Sequence, residues 1–360
     1  MKKKLIFCWL AGLFIFSVAV NGWSAPNEKQ KEIIAAAQKE GALDLVWGSG
    51  TIAGSEGAKR LGAGFNKYYG LDLKVNFTPG PSMPSIAAKI MQEYAAGRPS
   101  IVDVYLGSEG HFIGLLGAKA LDPLDWSGVF GIPSAMVLPE GIGIEVATRI
   151  PGVAYNSSLI SSKEIPRATA GYLEPKWKGR LASTPYAANF DRLSAPKIWG
   201  LEKTVDYVTR LSHQISGLIR CSELQRLVSG EFHALVMSCG DYEVRKFQAQ
   251  GAPLDHVFLS DAALVTYWNM GVPKNAKHPN AAKLFVNYMV SREGQDIMYD
   301  VEHTDHLSLP GSKSARFVIE AGLELDKLHD TGVRFLIGEG KRLAKVRAQL
   351  QAILKKGSSK

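Results

Sequence analysis

Short apolar runs that end in glycine-, serine- or proline-bearing turns, each followed by an amphipathic stretch at helical spacing, recur along this chain and leave it few folds to choose from. Leu43-Asp-Leu-Val-Trp47 reads as a buried strand closed by Gly48-Ser-Gly-Thr51, and Leu61, Phe65 and Tyr68 mark the helix that follows. Leu73-Lys-Val-Asn-Phe77 is a second strand, and Pro84 suits the first turn of a helix capped by Ser82 or Met83. Val102-Asp-Val-Tyr-Leu106 is a third strand, ending at Gly107-Ser108-Glu109. A second run of the same kind follows Pro151, with strands at 179–182, 217–220 and 234–237 and helices between them. Strand alternating with helix predicts an α/β fold on largely parallel sheets. Val265-Thr-Tyr-Trp268 is strand-like, residues 280–289 read as an amphipathic helix, and the stretch from Phe317 to Lys355 as strongly helical, with Leu323, Leu336, Leu343, Val346, Leu350 and Leu354 as its apolar positions.

The first residues speak to the compartment. Lys2, Lys3 and Lys4 precede an apolar stretch, Leu5 to Val20, and then small residues where a signal peptidase can cut, as at Val20-Asn-Gly22. The run is short for a span of ~20 residues. The reading is therefore a leader over residues 1–25 and an exported, periplasmic protein. Removing it lowers the net charge from +8 to +5 and leaves two cysteines, Cys221 and Cys239. They sit at the ends of two strands joined by one crossover; an oxidising compartment allows a disulfide, but spacing alone leaves disulfide and free thiols equally open. Outside the leader no basic run is longer than the two residues of Lys355-Lys356, so nucleic acid is not an expected partner.

Few motifs carry chemistry. Gly48-Ser-Gly50-Thr-Ile-Ala53 fits a relaxed dinucleotide fingerprint, but the second strand ends in Phe77-Thr78 without the acidic residue that would hold a ribose. What remains is a turn that lets backbone N–H groups and hydroxyls approach a ligand. Glu302-His303-Thr-Asp305-His306 offers four possible metal ligands in five residues, yet adjacency supplies no converging geometry, and a solvated loop is the expectation. Neither a GxSxG elbow nor an HExxH pair occurs, so the chain is not expected to be an enzyme, and no cofactor is expected.

Several segments together resemble the iron/thiamine-type branch of the bacterial periplasmic solute-binding proteins, the receptors of ATP-driven importers. The likeness runs from Glu32-Ile-Ile-Ala-Ala-Ala-Gln-Lys-Glu-Gly-Ala-Leu-Asp-Leu-Val-Trp47 through Phe65-Asn-Lys-Tyr-Tyr69, Leu73 to Phe77, Glu93-Tyr-Ala-Ala-Gly97 and Val102 to Leu106. It resumes at Pro175-Lys-Trp-Lys-Gly-Arg-Leu-Ala182, Val228-Ser-Gly-Glu231, His278-Pro-Asn-Ala-Ala-Lys-Leu-Phe285 and Ser291-Arg-Glu-Gly-Gln295. Residues 297–360 match less well.

The resemblance implies a type II periplasmic-binding-protein fold: two hinge-connected α/β lobes with the ligand between them. Residues 26–148 with 266–360 would form the first lobe and 149–265 the second, with hinge segments near Glu145–Ala154 and Phe258–Tyr267. It also implies a small-molecule ligand, an inner-membrane permease as partner and a monomer. Open α/β sheets bind at the C-terminal ends of their strands. That rule selects Ser49, Gly50, Thr51, Ser82, Ser108 and Glu109 from the first lobe, Tyr186, Asn189, Ser222, Asp241 and Tyr242 from the second, and Trp268 where the chain returns. Loops preceding helices favour an anionic solute, with Trp47, Tyr186, Tyr242 and Trp268 available to pack an organic portion. Iron binders of this branch typically use two adjacent tyrosines at the start of a second-lobe helix. Here that stretch is Gly240-Asp-Tyr242-Glu243, with a single tyrosine, and the only Tyr-Tyr pair is Tyr68-Tyr69 on a first-lobe helix. An organic acid, phosphonate or oxyanion is the expected ligand; ferric iron held by Asp241, Tyr242 and Glu243 is the alternative.

Overall fold

The computed structural model describes residues 26–187 and 189–357; the leader expected over residues 1–25 falls outside them. The chain opens with α1 (Glu28–Glu40), where Asn27 and Gln30 form a reciprocal cap, and Gly41 ends the helix in the left-handed region. There follow β1 (Ala42–Gly48), α2 (Gly54–Tyr69), β2 (Lys74–Gly80), α3 (Met83–Ala95), β3 (Tyr105–Ser108), α4 (Glu109–Gly117), α5 (Trp126–Phe130) and β4 (Ile144–Arg149). A second unit holds β5 (Gly152–Asn156), β6 (Leu181–Ser183), α6 (Phe190–Leu193), α7 (Leu201–Ser212), β7 (Ile215–Leu218), α8 (Gln225–Val228), β8 (Ala234–Val236), α9 (Asp241–Gln248) and β9 (Leu254–Phe258). The chain then returns through β10 (Leu264–Gly271), α10 (Pro279–Tyr288), α11 (Arg292–Glu302), α12 (Lys313–Glu320), β11 (His329–Asp330) and α13 (Val333–Gly357).

The α/β class holds, but the sheets are mixed where parallel pairing was expected. In the first lobe β1 and β2 pair in parallel, Leu45 bridges to Val104, and β10 runs antiparallel to both β3 and β4. In the second lobe the strand order is β7-β6-β8-β5-β9, with β6 parallel to β7 and β8, and β5 antiparallel to β8 and β9. The antiparallel members are the strands at which the chain changes lobes. It crosses between Arg149 and Gly152, and back between Phe258 and Leu264.

Each lobe has its own core. Leu43, Leu45, Trp47, Leu61, Phe65 and Phe285 anchor the first; Val153, Leu181, Phe190, Leu211 and Val236 anchor the second. Side chains of this size contribute roughly 1.5–3 kcal/mol each on burial. The strongly helical stretch expected over 317–355 is two helices. α12 stops before Gly322, which takes a φ of 83° that a side chain would strain, and a short strand intervenes before α13. Leu336, Leu343, Val346, Leu350 and Leu354 line one buried stripe of α13, as their spacing requires.

Candidate functional site

At the C-terminal ends of β3, β4, β6 and β8 the two lobes enclose a cavity of about 180 Å³, lined by Ser108, Glu109, Arg149, Tyr186, Asn189, Arg192, Cys239 and Arg347. A larger hollow of about 570 Å³ lies between α1, α5 and α10, but no charged side chain lines it. The smaller cavity is where the chemistry converges.

Glu109 is the first residue of α4 and is fully buried. Burial alone would raise its carboxyl, but Arg192, Arg149 and the Tyr267 backbone N–H together outweigh that and hold it below the usual carboxylate range. Arg192 Nη2 donates to Glu109 Oε2 at 3.1 Å, and Arg149 Nη2 lies 3.4 Å from the same oxygen. Arg192 also donates through Nη1 to the carbonyl and hydroxyl of Thr331, each at 2.7 Å. Arg149 Nη2 further donates to the Tyr267 carbonyl at 3.0 Å, while its Nε is buried with no hydrogen-bond partner. Arg347, on α13, is steered by Asp191, whose Oδ2 accepts from Nη2 at 2.6 Å and Nε at 3.0 Å. Three guanidiniums thus face one carboxylate on the cavity wall, with a second carboxylate behind Arg347. The excess is positive.

The other lining groups are already engaged. The Tyr186 hydroxyl accepts from the Cys221 N–H at 3.0 Å and lies 3.6 Å from Cys239 Sγ, and burial raises its ionisation above the ordinary phenol value. Cys221 and Cys239 form a disulfide, which resolves the pairing left open by spacing and ties the loop after β7 to the loop after β8. Asn189 adopts a left-handed conformation before α6 and donates to the Ser238 carbonyl at 3.3 Å.

Of the twelve residues selected from sequence, the cavity brings together Ser108, Glu109, Tyr186 and Asn189. Ser49 and Gly50 lie in an exposed turn with the half-buried Thr51, and the Gly50 carbonyl accepts from Lys246 of the second lobe. Ser82 is exposed, 2.9 Å from the Ser85 hydroxyl, and Ser222 is also exposed. Asp241 is buried and pairs with Arg245 at 2.6 Å. Tyr242 and Trp268 pack edge to face in the core with ring centres 5.4 Å apart, and Trp47 is buried there too. Among the described residues only Tyr186 supplies an aromatic surface to the cavity.

Sequence reasoning missed the three arginines. Arg192 lies three residues beyond the selected Asn189, and Arg149 ends the strand that leaves the first lobe, so both were within reach of the strand-end rule. Arg347 had no local signal. The Glu302–His306 cluster does not converge: among the described residues the only grouping with metal-like spacing is Asp44, Asp103 and His278. There Asp103 already accepts from the Asp44, Lys277 and His278 N–H groups and the His278 ring, so the group is a structural knot.

The family model described as bacterial extracellular solute-binding protein matches residues 61–316, most of both lobes. The chain belongs to that family. This solute-binding protein is 25% identical over 256 residues to the major ferric iron-binding protein of Neisseria meningitidis serogroup B, covering 67% of this chain and 74% of that one. Among solved structures it is similar to iron-bound HitA of Pseudomonas aeruginosa (TM-score 0.66, 19% identity, 86% of this chain and 99% of that one). It is likewise similar to the binding protein AgtB of A. tumefaciens R10 in complex with agropinic acid (TM-score 0.63, 18% identity, 87% and 99%). At these identities the structures speak for the fold, which is that of two-lobed receptors of ABC transporters. The chain's family is thus one of bacterial extracellular solute-binding proteins, and one curated relative, from Serratia marcescens, is a periplasmic protein.

Proposed function

We propose that this substrate-binding protein is exported through its leader and captures a compact anionic solute, an oxyanion, phosphonate or short organic acid, between its lobes for delivery to an inner-membrane permease. The observation that carries the reading is the cavity of about 180 Å³ faced by Arg149, Arg192 and Arg347. Guanidinium groups present planar pairs of donors that match carboxylate and phosphate oxygens. At roughly 30 Å³ per water, the space takes about six waters or a solute of similar size. Because Tyr242, Trp268 and Trp47 are spent in the core, little is left to hold an extended apolar part. The passages at 150–151 and 259–263 serve as the hinge, and a solute that bridges both lobes favours closure by its differential affinity for that form.

Ferric iron is the second reading, supported by the names of the relatives, which include a Fe(3+)-binding periplasmic protein of Serratia marcescens. Against it, Tyr242 is buried, and burial together with Glu243 drives its phenol well above the ordinary range. Titration calorimetry with phosphate, methylphosphonate, sulfate and succinate, beside ferric loading followed by visible absorbance, separates the two. Saturable heat with an anion and no phenolate band is expected. No heat with any anion, together with a stoichiometric band lost in Tyr186→Phe or Tyr242→Phe, establishes the iron reading instead.

A further inference from the structure

We infer that α13 is a working part of the binding site and that its Arg347 contacts the solute directly; the inference rests on the anion reading above. α13 lies wholly beyond the residues that match the family model. It spans both lobes. Val333 is buried with Val46, Ile86 and Phe112 of the first lobe, whereas Val346, Leu350 and Leu354 are buried in the core of the second. Near its start Arg334 donates to the carbonyls of Ser134, Ala135 and Val137, and further along Arg342 donates to Ser194 at 3.2 Å. A helix fixed at both ends sets the position of what it carries.

Arg347 lines the cavity, and Asp191 orients it through two of its three nitrogens. The Asp191 bonds use Nε and Nη2 and not Nη1, and in the same cavity Arg149 Nε is buried with no hydrogen-bond partner. Asp191 itself is not a saturated acceptor site: its Oδ1 is buried without a partner, so the carboxylate acts on Arg347 through one oxygen. Two guanidiniums from different elements, each with donor capacity to spare, suit a solute with at least two acceptor oxygens. The wall contributed by α13 then narrows the solute class to compact anions with paired oxygens.

The test uses the full chain and titration calorimetry with inorganic phosphate, methylphosphonate and succinate. The wild type is expected to bind at least one. Arg347→Gln is expected to weaken that probe about 10- to 100-fold, the range of a lost charge-assisted pair of hydrogen bonds, with Arg149→Gln as the comparison within the same cavity. Arg347→Lys keeps the charge but not the fork, and several-fold weakening is expected; it carries the test should Arg347→Gln melt early. If Arg149→Gln weakens the probe while Arg347→Gln and Arg347→Lys bind as the wild type does, α13 is a structural strap only and the inference falls, leaving the anion reading intact. If the wild type binds none of the three probes, both fall together.

Discussion

Arg192 reaches from the second lobe to the Glu109 carboxylate of the first, Nη2 to Oε2 at 3.1 Å, with both side chains buried. The pair joins a residue after β6 to a residue after β3, so it exists only while the strand ends of the two lobes face each other. Arg192 also holds Thr331, which leads into α13. One guanidinium thereby ties three parts of the chain around the cavity.

Removing one partner of a buried ion pair leaves the other charge uncompensated. Arg192→Met leaves Arg149 as the only guanidinium on Glu109 and removes the two bonds that Arg192 makes to Thr331. A loss of about 3 kcal/mol in urea unfolding is expected, with weaker anion binding. An unchanged urea midpoint would show that Arg149 suffices for Glu109.

The disulfide closes a segment of 18 residues that contains α8 and β8. Closing a loop of that size restricts the unfolded chain by about 3 kcal/mol. Cys221→Ser with Cys239→Ser is expected to lower stability by about 2–4 kcal/mol. Cys239 lines the cavity and Tyr186 accepts from the Cys221 N–H, so anion affinity should fall with it. The checks are thermal melting with and without reductant and a thiol count on the wild type, where two free thiols would refute the bridge.

Behind β10, Glu145 faces His306 at 3.6 Å. Burial, then Asp330, pushes the Glu145 carboxyl up to about 9, and burial pushes His306 down to about 4, so the two meet uncharged at neutral pH. The signs oppose. A carboxyl raised on folding contributes stability that is complete below its unfolded value near 4.5 and is lost as pH rises towards 9; a depressed histidine contributes stability that is complete above 6.5 and lost as pH falls towards 4. Above pH 7 Glu145 is the raised carboxyl still titrating, Glu302 having titrated at about 7. Wild-type stability is expected to decline from pH 7 to 9 by on the order of 1–3 kcal/mol, and Glu145→Gln to flatten that decline. Parallel pH curves for the two proteins would refute the assignment.

The alternation of strand and helix was legible because period and turn chemistry are local. Pairing direction was not: β10 lies antiparallel to β3 and β4 because the chain has already visited a second lobe, a fact that no window around Val265 contains. The same holds for the site. Ser108, Glu109, Tyr186 and Asn189 follow from the rule that strand ends bind, whereas Trp47, Tyr242 and Trp268 follow the same rule yet turn inward, since large rings near a hinge are needed for packing. Arg347 is 198 residues from Arg149 in sequence, and only the folding of α13 over the cleft brings both to one cavity.

A second tie between the lobes sits away from the cavity. Lys246 on α9 donates to the Gly50 carbonyl and to the buried Glu302 carboxylate of α11, each at 3.1 Å, and Glu302 in turn accepts from the Ile52 N–H at 2.6 Å. The Gly48–Thr51 turn, selected from sequence as a ligand loop, is thus held by the opposite lobe. Lys246→Met removes both bonds and keeps most of the unbranched apolar stem. The stability cost is limited because Glu302, its carboxyl already raised by burial to about 7, can stay protonated once the ammonium is gone. The effect should fall on closure instead: a smaller closed fraction raises the apparent dissociation constant in proportion. About 3- to 10-fold weaker binding of whichever anion the wild type takes up is expected, with a larger radius of gyration in solution scattering. If affinity and radius both match the wild type, the Lys246 contacts follow closure and do not favour it.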